Sequence, residues 1–87
     1  MDVAGVAREI ERQLESHYRA NPIAPRPHVA VMGCVVNGPG EAREADIALA
    51  GGRDVFVLYV HGQQGATIPQ NEAVARVVEL VKGWGGR

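Results

Sequence analysis

One ten-residue stretch, from Met32 to Glu41, holds the residues best suited to chemistry. It contains the single cysteine of the chain, Cys34, and ends in the carboxylate of Glu41. A thiolate is a soft metal ligand and a carboxylate is a hard one. Glycine and proline between them allow the backbone to turn sharply, so both side chains can reach one centre. Cys34 and Glu41 are therefore the two best candidate metal ligands in the sequence.

The backbone of the same loop is suited to holding an anion. Gly33, Gly38 and Gly40 permit the close approach of another body, and a strand that passes into a helix aims several N–H groups at one point. Asn37 adds an amide that both donates and accepts hydrogen bonds. Taken by themselves, the residues favour a structural interpretation: a small buried cysteine, a tight turn, and a glutamate at a helix N-terminus.

Two amphipathic helices flank the elements that must position this loop. In the first, apolar residues recur at helical spacing from Val3 to Tyr18, with Asp2 as the N-cap. It should end by Ala20, because three prolines follow. In the last, Thr67 and Gln70 resemble a capping box. Its apolar face is formed by Val74, Val77, Val78, Val81 and Trp84.

Short strand patterns lie between the helices. His28–Met32 is apolar nearly throughout, which is typical of a strand covered on both faces. Asp46–Ala50 and Asp54–His61 are predicted as the next two strands, and Glu41–Ala45 as a brief helix. His61–Gly65 is predicted as a hairpin turn into a last short strand.

This element order predicts an α+β fold, a compact two-layer domain in which two amphipathic helices pack on a small mixed sheet. The chain is expected to be a single domain. Its parts are 1–20, a helix; 21–27, a proline-rich connector; 28–41, a strand and the ligand loop; and 42–87, the remaining strands, the hairpin and the C-terminal helix.

Composition bounds the function. A formal charge of −1 and the lack of a basic stripe argue against nucleic-acid binding. No apolar run approaches the roughly 18 residues needed to span a membrane. The first residues lack the basic start and apolar segment of a signal peptide. We therefore expect a cytoplasmic protein that binds neither nucleic acid nor membrane.

The stretch from Val29 to Ile47 resembles the C-terminal iron–sulfur domain of the 4-hydroxy-3-methylbut-2-enyl diphosphate synthase family, which acts in the non-mevalonate pathway of isoprenoid synthesis. The segment from Ala7 to Leu14 is similar to the helix that precedes the loop in that family. Gly51–Gly52, the hairpin and the helix after Ile68–Pro69 are similar to its tail. The resemblance thus covers nearly the whole chain and is most specific in the loop.

The resemblance implies a four-iron four-sulfur cluster held by three cysteines and one glutamate. The loop cysteine and glutamate of the family match Cys34 and Glu41, and the asparagine near the substrate matches Asn37. The family reaction is the reductive ring opening of 2-C-methyl-erythritol 2,4-cyclodiphosphate, driven by two electrons from the cluster. The implied catalytic residue is Glu41, because a carboxylate is a more exchangeable iron ligand than a thiolate.

The other two cysteines of the family form a Cys-Pro-x-Cys motif before the helix that aligns with Asp2 to Leu14. This sequence contains neither that motif nor the barrel that binds the substrate phosphates. His17, His28 and His61 show no spacing relation to Cys34. We therefore expect an incomplete ligand set, no cluster in the isolated chain, and no catalytic competence without a partner.

The expected partners are a barrel-domain protein or a full-length synthase, and a flavodoxin or ferredoxin as electron donor. The alternative is a non-catalytic binding or regulatory module that keeps the fold without the cluster. Two further possibilities are a diphosphate sensor that uses loop N–H groups and a cluster shared between two chains.

Overall fold

A computed structural model describes residues 2–33 and 44–84 of the chain. Two helices and four strands follow one another as α1 (Val3–Ala20), β1 (Val29–Met32), β2 (Ile47–Gly51), β3 (Val55–Val60), β4 (Gln63–Pro69) and α2 (Gln70–Lys82). The α+β prediction is confirmed. None of the helices within the described ranges is long and apolar enough to cross a bilayer.

The sheet is mixed, with strand order β1-β2-β3-β4. β1 runs parallel to β2, and Val29 lies opposite Ile47. β2 and β3 are antiparallel, as are β3 and β4. The carboxyl ends of β1 and β2 therefore lie at the same end of the sheet. The segment that carries the predicted ligand loop leads from the carboxyl end of β1 to the start of β2.

The helices pack on one face of the sheet and form the larger part of the core. Phe56, Ile47 and Leu49 from the central strands are fully buried there, as are Val77 and Val81 from α2. The valine and tryptophan pattern of the last helix is confirmed in part, because Val74 and Trp84 are only partly buried. A second cluster lies on the opposite face and consists of Met32, Ala45, Ala48, Ala50, Val57 and Tyr59.

The first helix matches its prediction in extent and cap. The carboxylate of Asp2 accepts a hydrogen bond from the backbone N–H of Gly5 at 2.9 Å. The predicted capping box of the last helix is wrong, since the N-cap is Pro69 and no side chain caps it. Thr67 pairs with Val57 in the sheet, so its side chain is not available at the helix N-terminus.

The hairpin turn is tighter than the predicted segment His61–Gly65. Val60 pairs with Gln63, which leaves His61 and Gly62 as a two-residue turn. Both have positive φ, at 53° and 78°, as a type I′ turn requires. Gln63 and Gln64 therefore belong to β4.

One further prediction is confirmed in part, and another lies mostly outside the described residues. β1 has apolar packing on both faces, since Val29 and Val31 pack against the helix-side cluster and Met32 and Ala30 lie in or against the opposite cluster. Its first three residues are only half-buried, and it is an edge strand of the sheet. The predicted helix over Glu41–Ala45 falls largely outside the described residues. Its last two residues, Glu44 and Ala45, lie in a turn and an irregular segment.

Candidate ligand loop and the sheet edge that supports it

Only the start of the predicted ligand loop, Met32 and Gly33, falls within the described residues. Those outside are Cys34, Asn37, Gly38, Gly40 and Glu41. Gly33, the remaining predicted loop residue, is exposed and directly follows β1. A methyl group on its Cα would meet no atom within 4 Å. In the described structure, therefore, no close approach requires glycine at position 33.

Met32 and Gly33, which form the root of the loop, lie against the end of β2 and the start of α1. A Cβ on Gly51 would lie 3.4 Å from the carbonyl oxygens of Met32 and Gly33, and 3.4 Å from a methyl carbon of Val3. These separations are at the short end of ordinary van der Waals contact, so three elements meet around position 51. Of the two glycines, Gly51 in the neighbouring strand thus has the closer surroundings. Sequence reasoning placed Gly51 only in the segment that is similar to the tail of the family.

The N-termini of both helices meet at this same end of the sheet, near the carboxyl ends of β1 and β2. The backbone N–H of Asp2 donates to the side-chain carbonyl of Gln70 at 3.1 Å, which joins the N-cap residue of α1 to the first residue of α2. Helix N-termini carry partial positive charge. Two of them therefore lie at the end of the sheet that holds Gly33. Periodicity predicted both helices but carried no signal that their N-termini converge.

The far end of the loop is tied to the start of β1. The backbone N–H of His28 donates to the Asp46 carboxylate at 2.8 Å, and the N–H of Asp46 donates to the His28 carbonyl at 2.9 Å. The ring Nδ1 of His28 lies 3.3 Å from the carbonyl oxygen of Glu44. Residues 44–46 are therefore held against the start of β1.

All three histidines lie at the other end of the sheet from Met32 and Gly33. His17 is in the last turn of α1, His28 precedes β1, and His61 is in the hairpin turn with its ring centroid 5.1 Å from that of Trp84. Within residues 2–33 and 44–84, no group of three or more His, Cys, Asp or Glu side chains could hold a metal ion. Within these ranges, therefore, the histidines belong to no such group.

The groups with shifted pKa values lie along α1. Hydrogen bonds from Arg12 and Gln13 lower the pKa of Glu9 from 4.5 to about 2. The hydrogen bond to Glu9 in turn raises the pKa of Arg12. Burial raises the pKa of Tyr18, against the opposing charge of Arg26. None of these groups is among the residues that meet at the loop root. The shifts report local pairing on the helix.

Comparison with known proteins covers nearly the whole chain. The family model of the GcpE protein C-terminal domain matches residues 1–83. A 4-hydroxy-3-methylbut-2-en-1-yl diphosphate synthase (flavodoxin) of Symbiobacterium thermophilum is 49% identical over 82 residues, which are 94% of this chain and 20% of the relative. The enzyme of the same name from Geobacter sulfurreducens is 43% identical over 83 residues, 94% of this chain and 22% of the relative. The chain thus spans about a fifth of the length of these curated relatives.

Proposed function

This chain belongs to the GcpE protein C-terminal domain family, and we propose that it serves as the cluster-bearing domain of a 4-hydroxy-3-methylbut-2-en-1-yl diphosphate synthase. The observation that carries the proposal is the 49% identity over 94% of the chain to a synthase of that name. The activity proposed for the whole protein is the reductive ring opening of 2-C-methyl-erythritol 2,4-cyclodiphosphate in isoprenoid synthesis.

The donor atoms of the chain fit part of a four-iron four-sulfur cluster. Such clusters are held by four protein ligands, commonly cysteine thiolates, and this sequence holds one cysteine. Cys34 would supply a thiolate and Glu41 a carboxylate. The other two donors would come from outside residues 1–87. When bound, the cluster would supply the two electrons of the reaction.

The remaining loop residues would orient the substrate. The Asn37 amide can donate a hydrogen bond to a substrate oxygen and accept one from a hydroxyl. Backbone N–H groups around Gly38 and Gly40 would face an anionic group without obstruction from side chains. The N-termini of α1 and α2 converge near Gly33 and are joined through Asp2 and Gln70. Their partial positive charge would stabilise an anionic group at this end of the sheet.

The proposed partners are the parts of a synthase that this chain does not include. The substrate-binding barrel and the two further thiolates would belong to a longer polypeptide or to a separate protein. The printed names of the relatives specify flavodoxin, which supports a flavodoxin as the electron donor. A ferredoxin is the other candidate donor.

A chimaera tests this proposal directly. The matched C-terminal segment of the Symbiobacterium thermophilum synthase is replaced by this chain, and iron content, visible absorption and ring-opening activity are measured anaerobically. We expect a chimaera with an absorbing cluster and activity. Cys34→Ala and Glu41→Gln should each reduce activity at least tenfold, while Ile23→Thr, at a side chain that is 99% exposed, should not. A chimaera whose Cys34→Ala variant keeps its cluster and activity would contradict the assignment.

One observation favours the alternative, a binding or regulatory module without a cluster. A single cysteine in 87 residues cannot complete the ligand set within one chain. One experiment distinguishes the cluster-bearing domain from the regulatory module: the isolated chain is added to a complete, active full-length synthase. A module of this kind would bind that synthase and change its activity equally well as wild type and as Cys34→Ala.

A further inference from the structure

A polar cavity of about 320 Å³ lies between the C-terminal halves of α1 and α2. The two helices pack against each other, and their N-termini meet near Gly33. The cavity is therefore at the other end of the helices from the predicted ligand loop. Its polar lining side chains are those of Arg12, Gln13, Ser16, His17, Asn21 and Lys82.

The charged groups that line this cavity are cationic. Arg12 belongs to α1 and Lys82 to α2, and none of the described lining residues is an aspartate or a glutamate. In the part of the chain that the structure describes, Arg12 pairs with Glu9 and Arg19 pairs with Glu15. No carboxylate there pairs with the Lys82 ammonium. A cation from each helix thus borders a space without an acidic wall, which favours an anionic ligand.

The ion pair of Arg12 leaves part of its guanidinium available. Nε and Nη2 of Arg12 donate to the two carboxylate oxygens of Glu9. A guanidinium carries five N–H groups in a fixed fork, so both N–H groups of Nη1 and one of Nη2 remain. Such a fork matches the oxygens of a phosphate group, and a lysine binds phosphate as a point charge. Glu9 therefore orients Arg12 without using all of its donors.

Neutral donors line the same space. The Gln13 amide donates to Glu9 at 2.8 Å, and the Asn21 amide donates to the His17 carbonyl at 2.9 Å. Each amide nitrogen carries a second N–H, and the Ser16 hydroxyl can rotate to donate. These groups add uncharged donors to the two cations. Together they form the donor set that an oxyanion requires.

The carbonyl groups at the ends of the helices are partly occupied. Helix C-termini carry partial negative charge on their free carbonyls, which would repel an anion. The His17 carbonyl, however, accepts hydrogen bonds from both the backbone N–H and the side chain of Asn21, each at 2.9 Å. The Glu79 carbonyl accepts one from the N–H of Gly83 at 3.1 Å. These bonds reduce the repulsion at the cavity.

The shape of the cavity favours an elongated oxyanion. The donors on α1 extend from Arg12 to Asn21, about 13 Å at ~1.5 Å per residue. A single tetrahedral ion gathers donors around one centre, whereas a diphosphate presents two linked groups along a line. The volume is at the lower end of the range for small-molecule sites, about 300–1,000 Å³. A small ligand with two phosphate groups agrees with both observations.

We propose that this cavity binds a small anion with two linked phosphate groups, of which inorganic diphosphate is the simplest. Arg12 from α1 and Lys82 from α2 would neutralise its charge. Ser16 and Asn21 would donate to its remaining oxygens. Because the ligand would bridge the two helices, its binding would also stabilise their packing. The site does not depend on iron, and it stands apart from the function proposed for the loop.

A titration of the 87-residue chain tests this proposal. Sodium diphosphate is added at constant ionic strength under reducing, iron-free conditions, and backbone amide shifts are followed by NMR. We expect saturable shifts at Ser16, His17, Asn21 and Lys82, and none at Gly33. Shifts confined to Gly33 would place the anion at the loop and overturn the proposal. A chain that shows no saturable shift would overturn it as well.

Variants of α2 separate a site from a response to net charge. Lys82→Gln and Arg76→Gln each remove one positive charge from α2, but Arg76 does not line the cavity. Lys82→Gln should raise the Kd about fivefold, the effect of one solvent-exposed charge pair. Lys82→Arg and Arg76→Gln should leave the Kd nearly unchanged. Equal weakening by the two glutamine variants would overturn the proposal.

Sulfate provides the comparison for ligand length. It has one tetrahedral centre, so it should bind about tenfold more weakly than diphosphate at the same ionic strength, the effect of losing one charge-assisted hydrogen bond. Equal affinity for the two ions would mean adventitious anion binding only and would contradict a site built for two phosphate groups.

Discussion

The carboxylate of Asp46 accepts a hydrogen bond from the backbone N–H of His28 at 2.8 Å, and this contact joins the residues that precede the two parallel strands. The reverse bond, from the Asp46 N–H to the His28 carbonyl, measures 2.9 Å. Together they support the register in which Val29 lies opposite Ile47. That register in turn places the two ends of the segment that carries Cys34 and Glu41.

Removing this carboxylate should weaken the fold measurably. Asp46→Ala leaves the His28 N–H without its acceptor and should reduce the free energy of unfolding by about 1–2 kcal/mol. Asp46→Asn keeps a side-chain acceptor and should lose less than half as much. Urea denaturation of both variants measures the difference. Equal losses in the two would mean that the hydrogen bond does not stabilise the register.

The close packing at Gly51 makes a second prediction. A methyl group there is already at the limit of contact with two carbonyl oxygens and with Val3, so Gly51→Val should cost about 2 kcal/mol through overpacking. Gly33→Ala is the matched control, because its added methyl meets no atom within 4 Å. Chemical denaturation should show a loss for Gly51→Val only. A stable Gly51→Val variant would exclude the close approach at the loop root.

The hairpin turn provides a third test, which uses two glycines with different backbone angles. Gly62 has φ of 78°, so Gly62→Ala places a side chain in the left-handed region and should cost about 1–2 kcal/mol. Gly83 ends α2 with φ of −91°, and a Cβ there would lie 3.5 Å from the nearest oxygen. Gly83→Ala should therefore change the thermal midpoint little. Similar losses at both positions would contradict the two-residue turn.

The pairing of Glu9 with Arg12 predicts a pH dependence at low pH. Because the pKa of Glu9 falls from 4.5 to about 2 on folding, its contribution is complete above pH 4.5 and is lost as pH falls towards 2. The stability difference between wild type and Glu9→Gln should therefore shrink across that range. The effect will be small because the pair is exposed to solvent. Arg12→Gln should show the same loss of pH dependence, and a difference that persists at pH 2 would contradict the pairing.

The helices were predictable because their signals are local. Apolar residues at spacings of three and four define the buried faces of α1 and α2. Asp2 is the N-cap and prolines follow Ala20, so the ends of α1 follow from nearby residues alone. The α+β architecture then follows, since two amphipathic helices need a sheet to cover.

The errors occurred where a local pattern competed with strand pairing. Thr67 and Gln70 have the spacing of a capping box, but Thr67 pairs with Val57 and so belongs to β4. His61–Gly65 contains enough glycine for a long turn, but the pairing of Val60 with Gln63 closes it after two residues. Both outcomes depend on partners that lie elsewhere in the chain.

The sequence by itself determined the helices, the fold class and the family, because helical periodicity and the loop that contains Cys34 and Glu41 are properties of contiguous residues. Only the tertiary structure decided that β1 lies at an edge of the sheet, that Gly51 packs against Met32 and Gly33, and that Asp2 meets Gln70 at the joined N-termini of the helices. The physical reason is separation along the chain. Asp2 and Gln70 are 68 positions apart, and strand order and helix packing bring such residues together without a signal in the local sequence of either.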